Sequence, residues 1–343
     1  MRWLTAFVLF FLLHKVSAQS LGGNAVFGFV QQSNTTQLTA LGGINISNLT
    51  NDVGLTFHNP ALLRSSMHQQ LNTSFNSFLT GITNYSLTTA IHISSIKTTT
   101  ALGVNFFNYG STTQTDAAGN VLGSFIANDY VVQVSACKQY KENWFLGTTI
   151  KFINSSYGMY KSNGIAADIA LAYTDTTNFF QASVVIKNIG TQLKKYSANN
   201  LNEELPFDVQ IGISKKLAKA PIQFSLTAHH LQKFDILYND TLYKASEGDE
   251  SYQQKKFLAE KLFAHLVFSA QFFIQQKIEL TIGYNFLRRH DLNIYNTANG
   301  LNGFSFGLGA MFKKFHFRYA SCFYQSSLVH QVGLNIGWNN HLK

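Results

Sequence analysis

Apolar residues alternate with small or polar ones along several segments of the chain, and this alternation limits the possible folds more than any other feature. In one segment every second position is apolar: Ile278, Leu280, Ile282, Tyr284 and Phe286. A period of two separates the two faces of an extended strand, whereas an amphipathic helix needs a period near 3.6. The alternation recurs in residues 315–320 and 332–338. These segments are predicted to be β-strands.

Fourteen such segments follow one another along the chain. They are predicted near residues 69–80, 84–96, 98–109, 126–139, 143–154, 164–174, 178–188, 206–217, 220–230, 261–271, 276–288, 303–311, 313–322 and 330–338. Most have the roughly 9–11 residues that a tilted strand needs to cross a bilayer. Bacterial single-chain barrels have an even number of strands. The predicted fold is therefore all-β, a transmembrane antiparallel β-barrel of about 14 strands.

The gaps between the predicted strands differ in length in a regular way. Gaps after even-numbered strands have one to four residues, while most gaps after odd-numbered strands are much longer. Outer-membrane barrels have short periplasmic turns and long extracellular loops. Both termini are therefore predicted to be periplasmic, and the predicted extracellular loops are 110–125, 189–205, 231–260 and 289–302.

The first 18 residues have the pattern of a signal peptide. Arg2 precedes an apolar run from Leu4 to Leu13, and Val16-Ser17-Ala18 places small residues before a cleavage site. The run is shorter than the roughly 18 apolar residues of a membrane anchor. The chain is therefore predicted to be exported in full.

The composition agrees with strands that face lipid. Hydrophobic residues make up 45% of the chain and charged residues only 13%, with 30 Phe and 15 Tyr. An exported chain of this kind is predicted to be an outer-membrane protein. Its formal net charge of +9 is compatible with anionic lipid or lipopolysaccharide. No nucleic-acid partner is expected.

A barrel of this size needs something inside it. About eight strands already fill their own interior with side chains, so fourteen enclose a wider lumen. Residues 19–68 precede the first strand, are rich in small polar residues and glycine, and lack clean alternation. We therefore predict three parts: a signal peptide at 1–18, an N-terminal plug at 19–68 and the barrel at 69–343.

Three short motifs in the predicted plug carry a family resemblance. They are Leu41-Gly42-Gly43, Asn51-Asp52 and Asn59-Pro60-Ala61. Together, at this distance from a signal peptide, they resemble the N-terminal signature of the PorV/PorQ family of the type IX secretion system, which is related to the FadL fatty-acid transporters. The resemblance implies a fourteen-stranded FadL-like barrel.

Further motifs in the barrel resemble the PorQ branch of that family. They are Lys187-Asn188-Ile189-Gly190 with Gln192 and Tyr196, Leu205-Pro206-Phe207, Ala228-His229-His230-Leu231, and Gly283-Tyr284-Asn285 with Arg288-Arg289. The resemblance implies a Bacteroidetes-type outer membrane and a non-enzymatic role in the attachment complex. There the barrel would anchor a PorZ-like surface protein beside PorU- and PorV-like proteins and help anionic lipopolysaccharide reach the PorU-like protein.

The segment 231–260 carries more charge than the rest of the chain. It contains Glu247, Asp249, Glu250, Lys255 and Lys256. A solvated loop would explain this charge, and so would an extracellular surface that binds the partner protein. Both interpretations place the segment outside the cell.

Two other functions remain as alternatives to the anchor. A FadL-like transporter of hydrophobic ligands would use the same barrel and plug. A lipase would use Ser305 in Gly303-Phe304-Ser305-Phe306-Gly307, which fits the G-x-S-x-G pattern. That serine lies in continuing alternation, which disfavours the turn that a nucleophilic serine needs.

Two adjacent histidines raise the question of a metal site. His229 and His230 lie at the end of a predicted strand, where neighbouring side chains point to opposite faces and cannot chelate one ion together. No metal, cofactor or catalytic residue is therefore expected.

Overall fold

Fourteen antiparallel strands form one closed sheet in the computed structural model, which describes residues 25–78, 81–197, 203–237, 258–292, 300–324 and 327–338. The strands are β1 (Gln70–Ser77), β2 (Thr83–Ile93), β3 (Thr98–Thr115), β4 (Val121–Lys141), β5 (Trp144–Tyr157), β6 (Tyr160–Asp175), β7 (Phe180–Lys194), β8 (Asp208–Lys216), β9 (Ile222–Ala228), β10 (Leu266–Ile274), β11 (Ile278–Asn285), β12 (Phe304–Met311), β13 (Phe315–Tyr324) and β14 (Ser327–Gly337). The predicted fold class and strand number are confirmed. The predicted signal peptide lies outside the described residues.

The barrel closes between its first and last strands. Each strand pairs with its neighbours in sequence, and β1 pairs with β14 from Gln70 opposite Gly337 to Ser77 opposite His330. Both sides of every strand are thereby paired with other strands, which satisfies the backbone hydrogen bonds that hydrocarbon cannot satisfy.

The two faces of the barrel wall differ in polarity, as the alternation predicts. In β11, Ile278, Leu280 and Ile282 are exposed on the outside, while Glu279 and Thr281 are buried inside. The exterior is apolar around the sheet, which is the surface of a barrel that spans lipid. In the part of the chain that the structure describes, no helix is long and apolar enough to cross a membrane.

Three short helices and five 3-10 turns complete the described structure. The helices are α1 (Thr36–Ala40), α2 (Leu258–Ala264) and α3 (Phe286–Leu292). The 3-10 turns are Gly28–Gln31, Val53–Phe57, Pro60–Leu62, Ser65–Met67 and Ser94–Ile96. The predicted strands 261–271 and 276–288 are therefore too long: α2 occupies the start of the first and α3 the end of the second. Alternation alone could not separate these short helices from the strands that they adjoin.

Connections of different length lie at the two ends of the barrel. At the short-turn end, strands are joined by two to five residues, for example 142–143 and 217–221. At the long-loop end, β9 and β10 are joined by 229–265 and β11 and β12 by 286–303. The three longest connections, which include 195–207, thus lie at one end as predicted, but other connections at that end are short, for example 158–159.

One predicted long loop is mostly strand. β3 and β4 extend through most of 110–125 and leave only a turn at 116–120. The Asp116 carboxylate closes that turn by accepting hydrogen bonds from the Ala118 and Asn120 amides, at 2.9 and 2.8 Å. The extension was missed because strand residues in contact with water need no apolar alternation. Similarly, β7 continues to Lys194, so the predicted loop 189–205 begins later.

Residues 25–68, here called the luminal segment, lie inside the barrel. Helix α1 contacts β11 to β14, the turn Val53–Phe57 contacts β1, β2 and β4, and the turn Pro60–Leu62 contacts β4 to β6. Contacts with strands from opposite sides of the wall require a position in the lumen. Leu38, Leu41, Leu55 and Leu62 form a buried cluster of the segment itself. Its action as a plug, and the domain limits, stay predictions.

Candidate functional site

The Leu41-Gly42-Gly43 motif ends helix α1. Thr35 caps the start of this helix by accepting a hydrogen bond from the Leu38 amide at 3.2 Å. Gly42 and Gly43 have φ angles of +94° and +88°, a conformation that glycine adopts without strain. The Gly42 and Gly43 amides donate to the carbonyls of residues 39 and 38. The two glycines therefore turn the chain sharply against the barrel wall.

That turn packs directly on the predicted Gly283-Tyr284-Asn285 motif of β11. A Cβ atom on Gly283 would lie 2.3 Å from the Gly42 nitrogen, so only glycine permits this approach. Asn285 Nδ2 and Arg288 Nη2 both donate to the Gly42 carbonyl, at 3.2 and 3.0 Å. Two motifs that are far apart in sequence thus form one contact.

The remaining residues of that motif lie elsewhere. The Arg289 guanidinium donates to the Gly300 carbonyl at 3.0 Å in an exposed position. Tyr284 packs against Phe286 and Phe304, with ring centroids 4.6 Å away in each case. Neither side chain reaches the luminal segment, so only part of the predicted motif belongs to the site.

The other two motifs of the luminal segment also bind the wall. Asp52 Oδ2 forms a 2.5 Å ion pair with Arg318, which also pairs with Glu279 at 3.2 Å. Asn59 Nδ2 donates to the Ile46 carbonyl at 2.6 Å, while its Oδ1 accepts from the Ala61 amide at 2.9 Å. Sequence reasoning missed Arg318 and Glu279, although charged residues at inward positions of a charge-poor barrel are a usable signal.

Three motif residues have smaller roles. Pro60 and Ala61 pack on β5, where a Cβ atom on Gly147 would lie 2.3 Å from the Ala61 nitrogen. The Asn51 side chain accepts a hydrogen bond from Ser66 at 3.1 Å. These contacts hold the luminal segment near the short-turn end.

The Lys187-Asn188-Ile189-Gly190 motif forms a β-bulge in β7. The register with β6 shifts between Ala167 and Ile169, so Lys187 and Asn188 are both buried inside the barrel. Asn188 has φ +57°, and its amide donates to Asp168 Oδ1 at 2.8 Å. A bulge re-aims a side chain, and here it brings two successive residues to the lumen.

A buried ion pair supports this bulge. Lys151 Nζ lies 2.7 Å from Asp168 Oδ2 and donates to Asn188 Oδ1 at 2.8 Å. Asn188 Nδ2 donates to the Pro206 carbonyl at 2.8 Å, which fixes the start of β8, while Phe207 is exposed. A Cβ atom on Gly190 would lie 2.1 Å from the Ile165 carbonyl oxygen.

The two adjacent histidines do not point to opposite faces, so that expectation was wrong. Strand β9 ends at Ala228, and His230 has φ +54°, which turns its ring back toward His229. The two Nδ1 atoms lie 2.6 Å apart, and Asp208 accepts from the His230 amide at 2.6 Å. Within the described ranges, no group of three His, Cys, Asp or Glu side chains could hold a metal ion.

Several of these residues surround one cavity at the long-loop end of the lumen, with a volume of about 250 Å³. Its apolar lining is Leu38, Ile44, Ile46, Leu287, Leu292 and Tyr324. Its polar lining is Gln31, Asn45, His58, Lys187, Asn188, Asp208, Gln210, His229, His230, Asn285, Arg288 and Asp291. We call it the luminal cavity. It joins the luminal segment to the bulge, the histidine pair and α3.

Burial favours the neutral form of two histidines of the luminal cavity. Burial, reinforced by the charges of Lys187 and Lys151, holds the pKa of His58 well below its usual value. Burial also lowers the pKa of His229, with smaller effects from His230 and His265. Lys187 Nζ lies 2.9 Å from His58 Nδ1, and since an ammonium only donates, this nitrogen accepts. His58 Nε2 therefore carries the ring proton.

Both histidines present a buried nitrogen without a hydrogen-bond partner: Nε2 of His58 and Nε2 of His229. Buried polar atoms in proteins are normally paired with protein groups, water or a ligand. The luminal cavity therefore offers two ring nitrogens that no polar group of the described residues contacts.

The G-x-S-x-G sequence is part of a strand. Ser305 lies within β12, is fully buried and accepts a hydrogen bond from Arg288 Nη1 at 3.0 Å. The next element is β13, so the helix that follows a nucleophilic serine in hydrolases is replaced here by a strand.

Fold and site together define a transmembrane β-barrel whose lumen holds the chain's own N-terminal segment. No family model and no curated protein matches the chain. Among solved structures it is similar to the CymD monoaromatic hydrocarbon channel, with 13% identity, 92% of this chain and 100% of that chain covered, and a TM-score of 0.49. It is also similar to a TodX monoaromatic hydrocarbon channel mutant, with 11% identity, 89% of this chain and 97% of that chain covered, and a TM-score of 0.48. It is similar as well to a Pseudomonas aeruginosa FadL homologue, with 8% identity, 89% of this chain and 98% of that chain covered, and a TM-score of 0.46.

Proposed function

We propose that this chain is a FadL-like transporter of hydrophobic ligands in a Gram-negative, Bacteroidetes-type outer membrane, with periplasmic termini. The ligand would be an amphiphile with an apolar body and one anionic group, bound in the luminal cavity. One observation carries this proposal: the cavity combines an apolar wall with Lys187, a buried cation that forms no ion pair with a carboxylate of the described residues.

Lys187 is 4% exposed, and its hydrogen-bond contact is His58 Nδ1. None of the ion pairs between described residues includes it. Burying an ammonium without a counter-ion is costly, so an anionic ligand would gain affinity there. Asp208 also lines the cavity, and its carboxylate accepts hydrogen bonds from the His230 amide and from Gln210, each at 2.6 Å.

Side chains from several elements would bind the anionic group of the ligand together. Nε2 of His58 is an unused donor, and Arg288 lines the same cavity. The side chains of Leu38, Ile46 and Leu292 would contact the apolar body. Passage toward the short-turn end requires the luminal segment to move, since Asp52 and Arg318 join it to the wall.

Binding of oleate and of uncharged oleyl alcohol to the purified barrel tests this proposal. A charged hydrogen bond contributes about 1.5–3 kcal/mol, so we expect oleate to bind about 10- to 100-fold more tightly. The Lys187→Met variant should lose this preference. Lys215→Met removes an exposed lysine of β8 and should keep it.

Arg288 and Arg289 provide a second matched pair for the same titration. Arg288→Ala should weaken oleate binding, whereas Arg289→Ala should leave it unchanged, because only Arg288 lines the luminal cavity. Equal affinity of the wild-type protein for oleate and oleyl alcohol would contradict the proposal.

A second candidate function is the anchor that the PorV/PorQ resemblance implies. The barrel would hold a PorZ-like surface protein beside PorU- and PorV-like proteins and lipopolysaccharide, and chemistry would belong to those partners. The grouping of the long connections 229–265 and 286–303 at one end favours this role. The expected contact residues Glu247, Asp249, Glu250, Lys255 and Lys256 lie outside the described residues.

Deleting residues 240–256 tests the anchor. We expect the shortened barrel to insert normally but to lose a surface protein that co-purifies with the wild-type chain. A control that replaces only the 116–120 turn at the same end should retain that protein. Unchanged co-purification after the deletion would count against this loop.

A further inference from the structure

A second cavity of about 250 Å³ opens at the long-loop end, on the side of β3, β4 and β5. The lining residues that determine its chemistry are Tyr109, Asp129, Ser155, Tyr157, Tyr196 and Glu203. We call it the tyrosine cavity. It shares no lining residue with the luminal cavity, so a ligand bound there is independent of the proposed transport.

The charge of the tyrosine cavity is opposite to that of the whole chain. Its lining holds two carboxylates, Asp129 and Glu203, and no lysine, arginine or histidine among the described residues. The chain as a whole has a formal net charge of +9. The cavity is therefore a local negative site in a basic protein.

Of the two carboxylates, Asp129 is buried, with only 2% of its surface exposed. Its Oδ2 accepts hydrogen bonds from the hydroxyls of Tyr109 and Tyr157, at 2.7 and 2.9 Å, and its Oδ1 accepts from Ser155. None of the ion pairs between described residues includes Asp129. Three neutral hydroxyls orient the carboxylate but leave its charge without a counter-ion, which is costly in a buried position.

Three tyrosine rings surround the Asp129 carboxylate. The centroids of Tyr109 and Tyr157 are 5.9 Å apart with a 34° interplanar angle, and those of Tyr157 and Tyr196 are 5.9 Å apart at 54°. The Tyr196 hydroxyl donates to Ser155 Oγ at 2.6 Å. The rings are thus tilted around one cavity and held by hydrogen bonds at their hydroxyl ends.

Aromatic faces carry negative partial charge and attract organic cations, and cages of such rings recognise quaternary ammonium groups. A buried carboxylate without a counter-ion adds a full negative charge at the same place. Three of the roughly four acceptor sites of the Asp129 carboxylate are occupied by hydroxyl donors, which leaves one for a metal ion, whereas an alkylammonium can rest on the ring faces. The geometry therefore favours an organic cation over a metal ion.

We propose that the tyrosine cavity binds a small organic ammonium group, carried either by a free amine such as choline or by a lipid headgroup. The ring faces of Tyr109, Tyr157 and Tyr196 contact the ammonium substituents. Asp129 supplies the counter-charge.

Calorimetric titration of the purified barrel, in an uncharged detergent, with choline and with its neutral isostere 3,3-dimethylbutan-1-ol tests this proposal. We expect choline to bind at least about 10-fold more tightly, as the loss of a charge-assisted contact predicts. Measurable but equal binding of the two compounds, or heat from sodium chloride alone at the same concentration, would overturn the proposal.

Variants locate the site. Asp129→Asn should weaken choline binding at least about 10-fold, since the amide keeps the shape but loses the charge. Asp116→Asn removes an exposed carboxylate from the turn between β3 and β4 and should change nothing. Unchanged binding in Asp129→Asn would overturn the proposal.

The ring of Tyr157 can be tested apart from its hydroxyl. Tyr157→Phe keeps the aromatic face and should bind choline within a few-fold of the wild type, while Tyr157→Leu should lose most of the affinity. This comparison stands even if Asp129→Asn fails to fold. Equal losses in the phenylalanine and leucine variants would show that the hydroxyl acts structurally and would contradict a cation-binding ring.

Mass spectrometry of lipids that co-purify with the wild-type barrel separates the two sources of the ammonium group. Retention of an amine-bearing phospholipid that Tyr157→Leu loses, together with silent choline titrations, assigns the site to a headgroup. Choline binding without such a lipid assigns it to a free amine. Absence of both overturns the proposal.

Discussion

Arg318 lies between Asp52 of the luminal segment and Glu279 of β11, and this triad joins the segment to the wall. The sequence places Glu279 and Arg318 on the inward faces of their strands, because they alternate with apolar residues. It could not show that their partner is Asp52, which is 266 positions away from Arg318. Polarity of a strand face follows from local pattern, whereas the pairing follows from the closed fold.

Replacing Arg318 tests the importance of this triad. Arg318→Met leaves two buried carboxylates without a cation, and breaking a buried pair costs about 3–5 kcal/mol. We expect the midpoint of urea-induced unfolding in micelles to fall accordingly. Asp52→Asn should cost less, because Arg318 keeps Glu279. Lys314→Met changes an exposed turn residue and serves as the control. Equal midpoints for Arg318→Met and Lys314→Met would contradict the triad's role.

The buried histidines give the protein a defined response to acid. The pKa of His229 is lowered by burial, so the folded state binds its proton at lower pH than the unfolded state, where the pKa is about 6.5. Stability is thus fully present above about pH 6.5 and falls as the pH drops toward the folded-state pKa, by up to about 1.4 kcal/mol per pH unit for this histidine.

Urea unfolding at pH 8 and pH 5 measures this response. The difference in the free energy of unfolding between the two pH values should be smaller in His229→Gln than in the wild type. An unaltered pH dependence in His229→Gln would mean that this histidine is not held neutral by burial.

At the scale of elements, β11 and helix α1 meet through glycines. Gly283 alternates with apolar residues, so its inward position is visible in the sequence. The sequence did not show that Gly42 packs against Gly283, because contacts between the luminal segment and the wall depend on how the segment folds inside the barrel. The PorV/PorQ resemblance marked both motifs without showing their contact.

Gly283→Ala tests that contact. Its Cβ would lie 2.3 Å from the Gly42 nitrogen, and overpacking of this kind costs about 1–3 kcal/mol. The unfolding midpoint should fall, and α1 should become sensitive to protease. Gly300→Ala is the matched control, since nothing lies within 4 Å of that Cβ position. A Gly283→Ala protein as stable as the control would show that α1 does not pack closely on β11.

The strand pattern was predictable where the wall meets lipid and less so beyond it. All fourteen strands were found from alternation, but the outer parts of β3 and β4 were assigned to a loop. Alternation of apolar and polar residues reports contact with lipid, and it fades where both faces contact water. The helices α2 and α3 were not predicted, because seven residues are too few to establish a helical period.

At the scale of the whole molecule, closure follows from backbone hydrogen bonding and was predictable, and the gap lengths indicated the end that carries the longest loops. The cavities were not, because their linings come from many elements: the luminal cavity combines the luminal segment, the β7 bulge and α3. His58 and Leu38 gave no sequence signal of a site. The lining residues that the sequence did single out include those of the bulge motif, the histidine pair and the motif of Asn285 and Arg288.

The orientation of the barrel can be measured in intact cells. Ala117→Cys places a thiol in an exposed turn at the long-loop end, and Thr176→Cys places one at the short-turn end. We expect a membrane-impermeant maleimide to label only the first, because long loops face outward. The native Cys137 and Cys322 are buried and give little background. Labelling of Thr176→Cys alone would reverse the proposed orientation.

The most direct test of the proposed transporter is to identify the molecule that occupies the lumen of the protein purified from native outer membranes. Mass spectrometry of denatured wild-type and Lys187→Met protein, after matched purification, would measure bound amphiphile per barrel. We expect an acidic amphiphile near one equivalent in the wild type and its loss in the variant. A wild-type barrel without any acidic amphiphile, or one that retains it equally in both proteins, would contradict the assignment of the luminal cavity.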